Sequence, residues 1–313
     1  MRRRPLGNTG MKVTELCLGT WGLSGDGYGP VNEAEQDRVI DRARALGIRL
    51  FETADSYAHG AMERRLGERL GKDEKVRFVT KVGTDRDAGI PQKCFEPEYL
   101  KKAVDASRKR LGRDVLDVVL LHNPSEAAME KGEATNTLAE LAEAGTVRAW
   151  GVSAGSVEVA REAIGRGAKV LSIALNVFHG RDLVELRDDV EREEVGLLAH
   201  SVLAYGLLAG HWAPGRRFPD GDHRAERWTD EELRRRVRQL DALRPVVGGD
   251  VLTLRSGALR WVLSQDVVSS VVLGPRSSLQ LDQLVREAGK GPPYLEEDKL
   301  SGLEARLEEV GAF

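Results

Sequence analysis

Eight short apolar runs, rich in β-branched residues, recur along the chain at 15–20, 48–54, 76–82, 115–122, 148–154, 170–177, 195–202 and 267–274. Segments of helical period separate them, among them 32–47, 97–112 and 156–167. A strand that is apolar on both faces is buried on both faces, so these runs predict a parallel sheet covered by helices. Several helical segments open on a polar residue and close on glycine, the expected start and stop signals. Eight such units in 313 residues predict an α/β fold, a closed (β/α)8 TIM barrel, occupying 1–313 as one domain. Ahead of the first barrel strand, "RPLGNTGMKV" (4–13) places Gly-Asn-Thr-Gly between two short apolar stretches and predicts an N-terminal β-hairpin. The longest irregular stretch, 209–228, follows the seventh strand. Long loops in compact domains commonly bind or cover ligands, and this one lies on the side where a barrel keeps its active site.

Charge narrows the classes of partner. Charged residues make up 31% of the chain, but the formal net charge is only −3. That balance argues against nucleic acid or an anionic membrane as a main partner. The runs Arg2-Arg3-Arg4 and Arg234-Arg235-Arg236 read as solvated faces. No run of about 18 apolar residues marks a membrane span, and no apolar segment follows the N-terminal arginines as a signal peptide would require. Two cysteines, Cys17 in an apolar strand and Cys94 in a loop, suit a reducing, cytoplasmic setting. The spacing "DGDH" (220–223) fits no defined metal-ligand set, so no metal is expected.

Polar residues gather where the apolar runs end. Strand one ends in Gly19-Thr20-Trp21, strand two in Glu52 followed by Asp55 and Tyr57, strand three in Lys81, strand four in His122, strand five in Ser153 and strand seven in His200-Ser201. In a barrel these ends converge on one mouth. A charge that closes an apolar strand is costly unless paired, and Glu52 and Lys81 on adjacent strands suit one another. Taken singly, Lys81 fits a strand cap, His122 a core histidine and Tyr57 a loop aromatic. Together they form a proton-donating set. A free phenol has a pKa near about 10; a neighbouring ammonium lowers it, a carboxylate holds the ammonium, and a histidine orients a carbonyl oxygen.

Seven stretches, in order, resemble the aldo-keto reductase family: "LGNTGMKVTELCLGTWG", "FETADSYAHGAMERRLGERL", "FVTKVG", "LLHNPS", "GVSAGS", "VLAYGLLAGHW" and "VLGPRSSLQLDQL". The resemblance covers essentially the whole chain. It implies a barrel that binds NADPH, less often NADH, and interconverts a small-molecule aldehyde or ketone with its alcohol. By position it makes Tyr57 the proton donor, Lys81 its pKa-lowering neighbour, His122 the group that orients the carbonyl, and Glu52 the carboxylate that the family supplies as aspartate. Asp55 then becomes a loop residue. Cofactor contacts are implied for Gly19, Thr20, Trp21, Ser153, Ser172, His200, Ser201, Leu203, Gly274, Arg276 and Gln280.

The departures are as informative. Glu52 is one methylene longer than the family's aspartate, a shift of roughly 1.5 Å. Ala154 stands where the family has asparagine, Ser172 where it has glutamine, His200 where it has a larger stacking aromatic, and Leu284 where it has asparagine. Arg276 favours NADPH, because a guanidinium pairs with a 2′-phosphate, and a helix beginning near Ser277 is expected to add its N-terminal dipole. Trp21, Tyr28, Trp212, Phe218 and Trp228 are candidate walls of the substrate pocket. The reading is an active reductase; the alternative is a nucleotide-binding regulatory barrel with weak turnover. The sequence does not give the oligomeric state.

Overall fold

In the computed structural model, which describes residues 1–86 and 89–312, all eight expected barrel strands are present. A hairpin of β1 (Arg3–Pro5) and β2 (Lys12–Thr14) opens the chain. The barrel strands are β3 (Leu16–Gly19), β4 (Leu50–Glu52), β5 (Arg77–Val82), β8 (Leu116–His122), β9 (Val147–Ser153), β10 (Val170–Ala174), β11 (Gly196–His200) and β12 (Val268–Leu273). They run in chain order, every neighbouring pair is parallel, and β12 closes on β3. Seven of the strands are shorter than the apolar runs, by at most three residues at either end, and β9 is shifted one residue toward the N-terminus. β4 shows why: beyond Glu52 the chain bends, yet Thr53 N and Asp55 N still donate to Val79 O (2.8 Å) and Lys81 O (2.9 Å) on β5. That pairing carries the chain over the barrel mouth to Tyr57. The apolar pattern gives no sign of a small ribbon that follows β5, formed by β6 (Thr84–Asp85) and β7 (Gln92–Lys93).

The hairpin closes the barrel floor. Leu6, fully buried, joins an interior cluster with Cys17, Leu50, Val79, Val118, Ala149, Val170 and Leu198. Gly7 makes this seat possible: its φ is +51°, and a Cβ there would meet Glu194 O and Gly196 N at 2.3 Å. A far larger apolar cluster fills the space between strands and helices. Polar caps start the helices as the sequence suggests; Asn32, Ser156 and Ser277 accept from Glu35 N, Val159 N and Gln280 N.

Strand parity places the site. Side chains alternate across a strand, so the residue two beyond an interior one is also interior. Above Leu50, Val79 and Cys17 in the interior cluster stand Glu52, Lys81 and Gly19. Above Leu120 stands His122, and above Leu198 stands His200. The barrel interior is thus mostly apolar below its last layer, with Ser270 spending its hydroxyl on Thr14 O (2.7 Å), and the charged and ring groups stand in that last layer.

Candidate active site

A cavity of about 890 Å³ opens at the C-terminal end of the strands. Glu52, Tyr57, Lys81 and His122 line one side of it. Lys81 Nζ is in contact with Glu52 Oε1 and donates to Tyr57 Oη at 3.0 Å. Glu52 and Lys81 are only 5% and 4% exposed, so each is the other's main compensation for burial. The longer glutamate fits because Gly19 lies opposite it on β3. A Cβ on Gly19 would come within 3.1 Å of Glu52 Oε2. The extra methylene therefore leaves both contacts of Lys81 intact.

Tyr57 sits on a turn held from outside the barrel. The next two residues, Ala58 and His59, have φ of +48° and +50°, a region that non-glycine residues adopt at a cost. Ala58 N donates to Asp26 Oδ2 (2.8 Å), and Asp26 Oδ1 accepts from Arg86 (3.1 Å). Asp26 and Arg86 thus form the clamp on the tyrosine. No motif pointed to either; their only signal is that both follow barrel strands on the mouth side.

Burial dominates the electrostatics of the site. Burial pushes the Tyr57 phenol up, reinforced by Asp26, Asp55 and Tyr28. Lys81, donating to Oη, favours the ionised form and so acts against that rise. Tyr57 is therefore fully protonated near neutral pH. Because Lys81 donates to Oη, the phenolic hydrogen is free to point into the cavity. Burial likewise pushes Lys81 down from the usual lysine value, and the Glu52 carboxylate in contact with it holds the charge. His122 is pushed well below its ordinary value by burial and by Lys81, so it is neutral. Its ring lies edge-on to Tyr57 with centroids 5.9 Å apart. Its Nδ1 is buried without a partner, and the residue lines the cavity. Asp55 does not line the cavity; burial, with the Glu63 carboxylate nearby, pushes its carboxyl up to about 7.

Most of the expected nucleotide residues also line this cavity: Gly19, Trp21, Ser153, His200, Ser201, Leu203, Gly274, Arg276 and Gln280. Two do not. Thr20 is fully buried and spends its hydroxyl on Glu52 O (3.1 Å). Ser172 is 1% exposed, and its Oγ lacks a partner; a serine is too short to reach where a glutamine would. Ser153 Oγ donates to Asn123 Oδ1 at 3.0 Å. His200, pushed down to about 3 by burial, is neutral, with Nδ1 2.9 Å from Ser201 Oγ. Arg276 Nη2 donates to Gly29 O (2.9 Å) and Pro30 O (3.1 Å), and Gln280 Oε1 accepts from Arg276 N (2.8 Å). The expected helix-end dipole is largely spoken for, since Ser278 N at the start of that helix already donates to Glu35 Oε1 (2.7 Å).

The loop after β11 supplies the outer wall. Trp21, Tyr28, Tyr205 and His223 stack edge to face, with centroids 4.7–6.5 Å apart. Trp212 lines the cavity, whereas Phe218 and Trp228 do not and pack behind it at 5.1 and 5.7 Å. Asp222 pairs with Arg224. Tyr205, His223, Lys93 and Arg227 also line the cavity, and the sequence motifs had not singled them out for it.

A closed parallel barrel with tyrosine, lysine, histidine and carboxylate at one mouth defines a class of barrel oxidoreductases. The chain belongs to the aldo/keto reductase family, whose model matches residues 15–290, and it is an oxidoreductase of that family. It is 28% identical over 282 residues to the aldo-keto reductase yakc [NADP(+)] of Schizosaccharomyces pombe, covering 84% of this chain and 79% of that one. It is 26% identical to the pyridoxal 4-dehydrogenase of Microbacterium luteolum (90% and 92% covered), and 26% identical to a probable voltage-gated potassium channel subunit beta of Arabidopsis thaliana (90% of each). The fold matches that of a glycerol dehydrogenase from Gluconobacter oxydans, with a TM-score of 0.85 at 23% identity over 99% of this chain and 96% of that one. No helix among the described residues is long and apolar enough to cross a membrane.

Proposed function

We propose that the protein is an NADPH-dependent reductase of a small aldehyde or ketone, or runs the reverse oxidation. The observation that carries this is Lys81, held by Glu52 and donating to Tyr57 at 3.0 Å. A carbonyl oxygen at the mouth meets neutral His122, which orients it, and the phenolic hydrogen of Tyr57, which it takes. As the proton leaves, negative charge grows on Tyr57 Oη, where Lys81 already donates. The ammonium thus stabilises the transition state more than the ground state, the requirement for catalysis. Glu52 positions Lys81 and keeps it charged. Reduced nicotinamide, when bound, supplies the hydride.

The residues present fit such a cofactor. The cavity that Tyr57 and Lys81 line is also lined by His200, Ser201, Leu203, Gly274, Arg276 and Gln280, so substrate and nucleotide would share one space. Arg227 and Arg276 line it with no carboxylate partner among the described residues, and Arg276 Nε is buried and unpartnered. Arg276 is the group we assign to a 2′-phosphate.

A second reading, a nucleotide-binding barrel with weak turnover, is favoured by Ala154 and by Ser172 below the cavity, which leave few side chains for the carboxamide. One experiment separates the two. Trp21 lines the cavity, so its fluorescence reports a titration with NADPH and NADH, followed by turnover on a broad carbonyl panel. Binding with turnover supports the reductase. Binding without turnover on any carbonyl selects the second reading, and no binding of either nucleotide overturns both.

A further inference from the structure

A second cavity, of about 830 Å³, lies at the opposite end of the barrel, under the N-terminal hairpin. It shares no lining residue with the cavity at the mouth. Arg3 and Lys12 reach it from the two strands of the hairpin, Arg77 from the start of β5 and Arg148 from β9; Met11, Val115 and Val147 add an apolar strip. None of its lining residues is acidic.

Carboxylates are scarce around the four cations, although Arg77 Nη1 also donates to Glu74 O (2.8 Å) and Val76 O (3.3 Å). Arg77 Nε and Arg148 Nε share one carboxylate oxygen, Asp117 Oδ1, at 3.3 and 3.6 Å. The other oxygen of Asp117 accepts from Phe78 N at 3.0 Å. Arg3 and Lys12 have no carboxylate partner among the described residues. The helix Glu133–Glu143 ends at this wall, and a helix C-terminus attracts cations. Its carbonyls are already taken, however: Glu140 O, Leu141 O and Ala142 O accept from Ala144 N, Thr146 N and Gly145 N. Four like charges around one concave surface repel one another until an anion enters. Guanidinium groups, presenting paired donors, suit the oxygens of a phosphate, and the apolar strip suits a carbon body.

We propose that this lower cavity is a binding site for a small organic phosphate, held by Arg3, Lys12, Arg77 and Arg148. The proposal does not depend on the reading of the upper cavity. β5 and β9, which contribute Arg77 and Arg148 here, carry Lys81 and Ser153 near their other ends at the mouth, so the two sites are joined through single strands while remaining separate in space.

The test is calorimetric titration and thermal unfolding with pyrophosphate, with citrate beside it, on the full chain and on three variants. Pyrophosphate should saturate in the millimolar range or below and raise the melting temperature. Arg3→Gln/Lys12→Gln, which changes two exposed hairpin residues, should weaken it about tenfold or more. Arg148→Gln, on a different element, should weaken it in the same direction, so a hairpin that fails to form does not hide the answer. Arg227→Gln, at the upper cavity, should leave this binding unchanged. No saturable binding, or loss in Arg227→Gln with none in the other two, overturns the site. Citrate binding as tightly as pyrophosphate overturns the assignment to phosphate.

Discussion

The two ends of the mouth cavity are built differently. At the proton-donating end, Glu52, Lys81 and His122 stand on adjacent barrel strands, and Tyr57 is clamped by Asp26 and Arg86. Glu52, Lys81 and Tyr57 are partners of one another. At the nucleotide end the polar groups lie at a strand end, in the loop after β12 and in the first turn of the helix that follows, and have protein partners instead: Arg276 holds Gly29 and Pro30, Gln280 holds Arg276 N, Glu35 holds Ser278, and Ser153 holds Asn123. The difference separates two kinds of design. The chemistry is set by strand register, which does not move. Nucleotide affinity is set by how cheaply loop bonds are exchanged for bonds to a ligand.

The sharpest way to break this contrast is at Lys81. In Lys81→Met, Glu52 is left buried with no counter-charge, and breaking a buried pair costs about 3–5 kcal/mol. We expect a large fall in melting temperature together with loss of turnover. Glu52→Gln/Lys81→Met should recover much of the stability and none of the turnover. If Lys81→Met alone kept its melting temperature, the pair would not be the buried anchor described here. Tyr57→Phe comes next and affects one property only. It removes the donor while preserving the ring packed on His122, so turnover should fall by about 10²–10⁴, with nucleotide binding unchanged by fluorescence titration.

The sequence revealed the proton-donating end well, for a physical reason. A charge that ends an apolar strand must have a partner, and parity puts Glu52, Lys81 and His122 in one layer. The barrel was equally legible, since eight two-sided apolar strands have few other solutions. The rest was not. Residues such as Asp26, Arg86 and Tyr205 reach the site through loops, where periodicity carries no direction. Thr20 lies between two cavity residues in sequence yet turns outward to Glu52 O. Burial, which pushes the Tyr57 phenol up, was likewise not visible in the sequence.

Glu52 offers a subtler test, through pH. The proposed reduction needs Lys81 charged. Burial lowers the lysine's pKa and Glu52 opposes that, so the rate should fall as pH rises through the value the pair sets. Glu52→Gln removes the opposing carboxylate and further disfavours the ammonium. The alkaline limb of kcat should therefore move to lower pH, while Glu52→Asp, shorter but still charged, should lower kcat and leave nucleotide affinity unchanged. His122 and His200, both pushed down by burial, remain neutral over this range and add no limb near neutrality. A limb that stayed in place in Glu52→Gln would show that Glu52 does not hold the charge on Lys81.

The smallest effect is expected at the nucleotide end. Arg276 must exchange its bonds to Gly29 O and Pro30 O for a 2′-phosphate, and the amide of Ser278 is already satisfied by Glu35. Only the surplus of a charge-assisted pair over two neutral bonds appears as preference. We therefore expect NADPH to bind only about tenfold more tightly than NADH, which corresponds to about 1.4 kcal/mol. Arg276→Ala should remove that ratio by weakening NADPH, with NADH nearly unaffected. Arg276→Lys, which keeps the charge but not the fork, should retain part of it. Glu35→Gln frees no amide but removes a negative charge beside the phosphate position, so it should widen the ratio. If the native protein bound both nucleotides equally and Glu35→Gln changed nothing, Arg276 would be a loop strap between 29–30 and 276 and no phosphate ligand at all.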